Sequence, residues 1–391
     1  MRLFKGDRFV ILGCALTLAT GLAACQPSQD RPENGQAGSG ATLGTKTGGG
    51  ERRLTVVKDD GRQRGEELSV VRIHRLEGAN IEAWLSDNEA RIVTTKLLKP
   101  ATSTEEPQLS YTESTVDLIT EEQRDSKPQA DPGKPGATTK EEASPDGRFI
   151  FVQQWENKYT ARNFMKNAGT GQSVELKISN YLESGGWLNN DTYVLAAGSM
   201  EGRGDVLTIS ADGTVTSLKL EDPDSETEPF PQFAASGGRI YYTDRNQTLK
   251  TFDPEHDRPS ELVRSVSQFS VSPAGDRIAV LTAYAKAAPG IKLLMYDANG
   301  SAQGTLLGKG DLIPYFDWSP DGSKLAFAVY AEDKAGMNGV YVLDTATGKV
   351  SPVGPGAFPQ YPLSWNPSGT RLGVTTQGGD SLPVTQIFDF Q

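Results

Sequence analysis

An all-β chain folded as a β-propeller is the reading this sequence predicts, on three observations. A short turn motif recurs from residue 84 onward, its copies mostly fall at spacings in the forties, and most copies run into an apolar stretch of strand length. Four copies are complete: Ser144-Pro145-Asp146-Gly147, Ser272-Pro273-Ala274-Gly275, Ser319-Pro320-Asp321-Gly322 and Asn366-Pro367-Ser368-Gly369. Reduced copies lie at 84–88, 187–191 and 234–238, where Asn, Asp and Gly keep the turn chemistry without the proline. With Asn88, Gly147, Asp191, Gly238, Gly275, Gly322 and Gly369 as marks, the spacings are 59, 44, 47, 37, 47 and 47 residues. Periods of that length with about four strands each are the sequence sign of propeller blades.

The order of residues within the motif has a physical reason. Ser or Asn at the first position can bond back to the backbone, and Pro presets the backbone angle of the second. Gly at the fourth tolerates the positive φ that closes the hairpin. The residues after the turn alternate or run apolar, as in Phe149-Ile150-Phe151-Val152 and Leu325-Ala326-Phe327-Ala328-Val329, and read as strands buried on one or both faces. Third strands ending in a second turn come next, as in Val340-Tyr341-Val342-Leu343-Asp344 before Gly348. The last copy ends in the strand at 384–390 with no fourth strand behind it, and the early strand at 68–73 is the natural donor. Pairing the two would close the ring and leave no blade incomplete. The count is then seven four-stranded blades, or six if the copy at 84–88 is spurious. The long first spacing leaves 109–111 and 116–119 as third and fourth strands of blade one, and the rest of 102–142 as an acidic loop.

These turn and strand residues resemble the TolB-like β-propeller repeat, which is also found in the propellers of prolyl-oligopeptidase-type enzymes. The resemblance covers residues 68–391 and is closest over the last three blades. It implies a fold and no activity, because the matching positions are turn and packing residues. The chain departs from prolyl oligopeptidases in having no G-x-S-x-G elbow and no α/β domain after the propeller, and from TolB in lacking its N-terminal domain.

The beginning of the chain carries a different signal. Arg2, Lys5 and Arg8 precede an apolar stretch at 9–24, too short and too rich in small residues for a comfortable membrane span. It closes on Leu22-Ala23-Ala24-Cys25, which resembles the lipobox of bacterial lipoproteins. In that family the cysteine is acylated and the chain is cut before it, so the resemblance makes residues 1–24 a signal peptide and Cys25 the lipidated N-terminus. Cys14, in Leu12-Gly13-Cys14, is a weaker competitor because little apolar sequence precedes it. Residues 25–67 then read as a tether. Its first half, rich in Gly, Ser, Gln and Pro, would span about 25–30 Å on average. The apolar run at 54–57 stays unassigned.

Composition limits the function. The two cysteines both lie in the leader region, so residues 26–391 hold no thiol for catalysis, metal binding or a disulfide. The formal net charge is −11, and loss of the leader would leave −13. Such a body repels nucleic acid and anionic lipid alike, so membrane attachment falls to the lipid on Cys25. Histidine occurs only at His74 and His256. His256, in Asp253-Pro254-Glu255-His256-Asp257, reads as turn content, not as a metal centre. Asp222, Asp224 and Glu226 alternate as calcium ligands do but lack the glycine and distal Glu of an EF-hand loop, and read as a solvated acidic connection. Trp84, Trp187, Trp318 and Trp365 share one repeat position and so predict packing between blades. Trp155, Tyr181, Tyr315, Phe358 and Tyr361 fall outside the repeat, near strand ends, as candidates for a binding face. No catalytic, cofactor or metal residue is singled out. The expectation is a monomeric, extracytoplasmic, membrane-anchored lipoprotein whose propeller binds or scaffolds a protein or peptide partner in the cell envelope. The alternative is a propeller enzyme acting on an extracellular glycan or lactone through carboxylates at the channel mouth.

Overall fold

The structure is a computed structural model. It describes residues 68–125 and 138–391, except 158–159, 181–184, 198–204, 221, 223–231, 255, 257, 283–289, 305, 333–336, 355–357 and 380. The leader 1–24, Cys25 and the rest of 25–67 lie outside the described residues.

Among the described residues all elements are strands, and they form seven antiparallel four-stranded sheets. Strand β1 (Val70–Glu77) comes first and is set aside for the end. Blade one holds β2 (Ala79–Trp84), β3 (Glu89–Lys99), β4 (Gln108–Asp117) and β5 (Gln123–Asp125). Blade two holds β6 (Thr138–Ala143), β7 (Phe149–Trp155), β8 (Ala161–Asn167) and β9 (Ser173–Asn180). Blade three holds β10 (Gly185–Trp187), β11 (Thr192–Ala197), β12 (Asp205–Ser210) and β13 (Val215–Leu218). Blade four holds β14 (Phe233–Ser236), β15 (Arg239–Thr243), β16 (Leu249–Asp253) and β17 (Arg258–Val263). Blade five holds β18 (Val266–Val271), β19 (Arg277–Thr282), β20 (Ile291–Asp297) and β21 (Gly308–Gly310). Blade six holds β22 (Phe316–Trp318), β23 (Lys324–Val329), β24 (Gly339–Asp344) and β25 (Val350–Pro352). Blade seven is β26 (Ser364–Trp365), β27 (Arg371–Gln377) and β28 (Pro383–Phe390), completed by β1 on its outer edge. The N-terminal strand therefore closes the last sheet, pairing from Val70 opposite Phe390 to Glu77 opposite Val384.

Adjacent sheets stack because neither face of a blade can be left to water. Six buried apolar clusters each join neighbouring blades: two with three, three with four, four with five, five with six, six with seven, and seven with one. The repeated tryptophans add a directional bond across these junctions. Each sits on a first strand and donates its indole N–H to a first-strand carbonyl of the preceding blade: Trp187 to Glu142 at 3.0 Å, Trp318 to Ser270 at 3.2 Å, Trp365 to Asp317 at 3.2 Å and Trp84 to Ser364 at 3.3 Å. First strands touching first strands means that these are the inner strands of the ring. Strand alternation then puts the tight turns of every blade at one end, and the second-to-third and blade-to-blade connections at the other.

The turn chemistry repeats atom for atom. The backbone N–H five residues on donates to the buried side-chain oxygen of the first turn residue: Phe149 to Ser144 at 3.0 Å, Arg277 to Ser272 at 3.0 Å, Lys324 to Ser319 at 2.9 Å and Arg371 to Asn366 at 2.8 Å. The glycines Gly147, Gly275, Gly322 and Gly369 take φ values of 71°, 73°, 69° and 67°, where an L side chain is strained.

Two readings of blade one are corrected. Residues 109–111 and 116–117 belong to one long third strand, β4, and the fourth strand is the short β5. Thr138–Ala143, read as part of an acidic loop, is the inner strand of blade two. Its polar sequence hid it, since an inner strand beside the channel need not be apolar.

The shared turn makes a testable claim about stability. Ser319→Ala strands the Lys324 N–H and is expected to cost about 1–3 kcal/mol in urea unfolding. Gly322→Ala, strained at positive φ, is expected to cost about 1–2 kcal/mol.

Candidate binding face

At the connection end, blades six and seven carry a linked group of apolar and aromatic side chains. Leu312, in the connection from β21 to β22, forms an isolated bridge with Tyr330, which follows β23. The Tyr330 ring meets Phe358 edge-on at 5.6 Å between centroids. Phe358 begins the stretch that runs to Tyr361, and this stretch is strapped to blade seven by a Pro359–Thr376 bridge and the Gln360 N–H donating to Thr375 O at 2.8 Å. Tyr315 ties the group to the inner strand of blade six, donating its hydroxyl to Gln360 O at 3.3 Å. Leu312, Tyr330 and Tyr361 remain 43%, 42% and 40% exposed. Solvated aromatics anchored by fixed backbone contacts are suited to desolvation by a partner, since little ordering entropy remains to be lost.

Around the inner strands, small residues dominate. At the level of Asp317, judged by pairing register, stand Ala83, Gly186, Ala234, Ser270 and Ser364, with Glu142 as the other acid. Gly186 is obligatory there, because an added Cβ would meet the backbone oxygen of Ala235 in the next blade at 2.8 Å. Glu142 is tied down: Lys140 Nζ lies 2.9 Å from its carboxylate, and Tyr193 donates its hydroxyl to it at 3.1 Å. Burial first, then the Glu142 charge, pushes the Tyr193 hydroxyl well above its usual range. Asp317 is different. Water reaches it, yet protein surrounds it on most sides, and this desolvation pushes its carboxyl up to about 6 against the opposing bond from the Trp318 N–H. The ring therefore holds one carboxyl poised to titrate near neutrality, with the other engaged by a lysine.

The structure separates the remaining sequence candidates. Tyr315, Phe358 and Tyr361 come together, while Trp155 ends β7 in blade two and Tyr181 lies outside the described residues. Leu312 and Tyr330 were missed, because an apolar residue directly after an apolar strand reads as more strand. His74 is buried, with Nε2 3.3 Å from Asp389, whose other carboxylate oxygen accepts from Arg371 at 2.9 Å. It joins β1 to blade seven. His256 is exposed beside Asp253 at 2.8 Å, with Glu255 and Asp257 outside the described residues. Among the described residues no group of three or more His, Cys, Asp and Glu side chains is placed to hold a metal ion. Asp222 corrects the solvated reading: it is buried, accepting from Tyr242 at 2.7 Å and Lys250 at 2.9 Å, and Lys250 also pairs with Asp244 at 2.9 Å. Burial opposes the Lys250 charge, but the two carboxylates outweigh it and hold the ammonium above its usual range. Asp224 and Glu226 lie outside the described residues.

The raised Asp317 carboxyl has a defined pH signature. The folded protein holds this proton up to about pH 6, whereas an unfolded chain releases it near the usual aspartate value of about 4. Stability from this group is therefore present at low pH and lost as pH rises from about 4 to about 6. Asp317→Asn is expected to remove that loss, so its melting temperature relative to the parent rises across the same window. An unchanged difference between pH 4 and pH 7 would contradict it.

No family model matches the chain, and no curated protein matches it. Among solved structures it is similar to an oligogalacturonate lyase in complex with manganese, at 10% identity and a TM-score of 0.49 over 81% of this chain and 98% of that one. It is also similar to the β-propeller domain of the Trilobed protease from Pyrococcus furiosus, at 14% identity and a TM-score of 0.47 over 81% and 95% of the two chains. TolB from Acinetobacter baumannii matches at 15% identity and a TM-score of 0.37 over 76% and 79%. Likeness at this level goes no further than architecture; the chain is a seven-bladed β-propeller on the strength of its own sheets, with TolB among the propellers it resembles.

Proposed function

We propose that this protein is a lipid-anchored, extracytoplasmic lipoprotein whose propeller binds a protein or peptide partner in the cell envelope through the connection end of blades six and seven. The observation that carries the proposal is the exposed Leu312, Tyr330 and Tyr361 group, fixed to the ring through Phe358, Gln360 and Tyr315. Aromatic anchors on a rigid frame are the usual energetic centre of a protein interface. The placement of the ends supports it. Ser69 and Gln391 exchange backbone hydrogen bonds at the turn end, so a tether running back from residue 67 to Cys25 would leave from the side opposite the aromatic group. The tether would keep the face concentrated near the membrane surface. A propeller enzyme acting on a glycan or lactone would instead need a second free carboxylate facing Asp317, and Glu142 is engaged by Lys140.

Photo-crosslinking in cells tests this reading. A benzophenone side chain in place of Tyr330 or Tyr361 is expected to give a discrete adduct that the same group at Thr347, on the turn end, does not give. Adducts from both ends alike, or from neither, would count against it. Tyr330→Ala with Tyr361→Ala is expected to weaken recovery of that adduct's partner by about tenfold or more, with the melting temperature unchanged. Cys25→Ser is expected to move the protein from the membrane to the soluble fraction.

A further inference from the structure

Three consecutive inner strands carry a polar residue at the same repeat position: Ser270 in blade five, Asp317 in blade six and Ser364 in blade seven. Equivalent positions send their side chains the same way, so the three form a hydroxyl–carboxyl–hydroxyl arc on the wall of the axial channel. The frame behind the arc is fixed. Trp318 donates its indole N–H to Ser270 O at 3.2 Å, Trp365 to Asp317 O at 3.2 Å and Trp84 to Ser364 O at 3.3 Å. Each backbone carbonyl is pinned by the next blade, and the side chain alone is left to act. Their partners on the second strands are small: Ala279, Ala326 and Gly373.

The rest of the level gives room and no competing charge. Ala83, Gly186 and Ala234 are small, and the Glu142 carboxylate is engaged by Lys140 and Tyr193. Among the described residues no side chain bonds to those of Ser270, Asp317 or Ser364, and the Asp317 carboxylate has only the neighbouring Trp318 N–H beside it. Water reaches Asp317, but the protein around it replaces part of its hydration without supplying a cation. A guest that brings a positive charge relieves that deficit.

The chemistry of the arc narrows the guest. One carboxylate and two hydroxyls fall short of the roughly six to eight oxygens that calcium takes. A quaternary ammonium calls for exposed aromatic faces, and the Trp318 and Trp365 rings are buried in the blade junctions. A primary ammonium has three N–H donors on one charged centre, and the arc offers three acceptors of which one is charged.

We propose that the channel at the level of Asp317 binds the ammonium head of a small, unbranched primary amine, with Asp317 as its counter-ion and the Ser270 and Ser364 hydroxyls as flanking acceptors. The site is separate from the aromatic group of blades six and seven, so either can fail without the other.

Titration of the full mature chain carrying Cys25→Ser with butylamine tests the site, at about pH 7.5 where the Asp317 carboxyl is ionised. The indole N–H resonances of Trp318 and Trp365 report on it, because their bonds end on Ser270 and Asp317. Both are expected to move saturably. Asp317→Asn, of nearly the same size, is expected to weaken binding by about tenfold or more. Ser270→Ala with Ser364→Ala is expected to weaken it by about threefold or more. Butyltrimethylammonium, which has the charge without the N–H donors, is expected to bind at least about tenfold more weakly than butylamine. Resonances that do not move with butylamine would overturn the site, as would equal affinity in the Asp317→Asn protein. Equal affinity for the two cations would overturn it as well, and that comparison needs no variant of the arc.

Discussion

Five of the seven four-stranded sheets bury apolar clusters on both faces and the other two on one, and that need for cover fixes the architecture. A blade is stable only between two others, so the row of blades has to bend until its ends meet. The meeting is made by β1, which pairs along its length with β28 and gives blade seven its fourth strand. His74, held by Asp389, buries a polar contact in the same sheet. Without that pairing, β28 would present an open edge and the Trp84 and Thr385 contacts between blades one and seven would have no frame.

Rigidity comes from repeated small devices. The buried Ser144, Ser272, Ser319 and Asn366 side chains each satisfy one backbone N–H at the base of a hairpin, and the indole bonds fix how far one blade slides on the next. The connection end is free to vary over this frame. Tyr330 and Phe358 are held there by backbone bridges that start on the sheets themselves, so exposed aromatic surface is presented without a loose loop beneath it.

Most of the fold was legible because its determinants are local. The Ser-Pro-x-Gly turns announce the hairpins, the apolar runs after them announce the second strands, and the missing fourth strand of the last blade pointed to the donor near residue 70. Where reading failed, the determinant was not local. Thr138–Ala143 carries Lys140 and Glu142, whose polarity is explained only by Tyr193 of the next blade. Asp222 looked solvated because Lys250 and Tyr242, which bury it, arrive from strands later in the chain. Three of the five aromatics singled out do gather at one site, but Leu312 and Tyr330 belong to it only through a bridge that no spacing reveals.

Pairing of the chain's two ends is the claim on which the ring depends, and a paired substitution reads it directly. Arg75 and Gln386 stand opposite each other in the β1–β28 register. Cysteines at both positions, in the Cys25→Ser background, are expected to form an intramolecular disulfide under mild oxidation. The bond should raise the melting temperature by closing a loop of nearly the whole propeller. Thiols that stay free, or that join only between molecules, would contradict the closure and the seven-bladed ring with it.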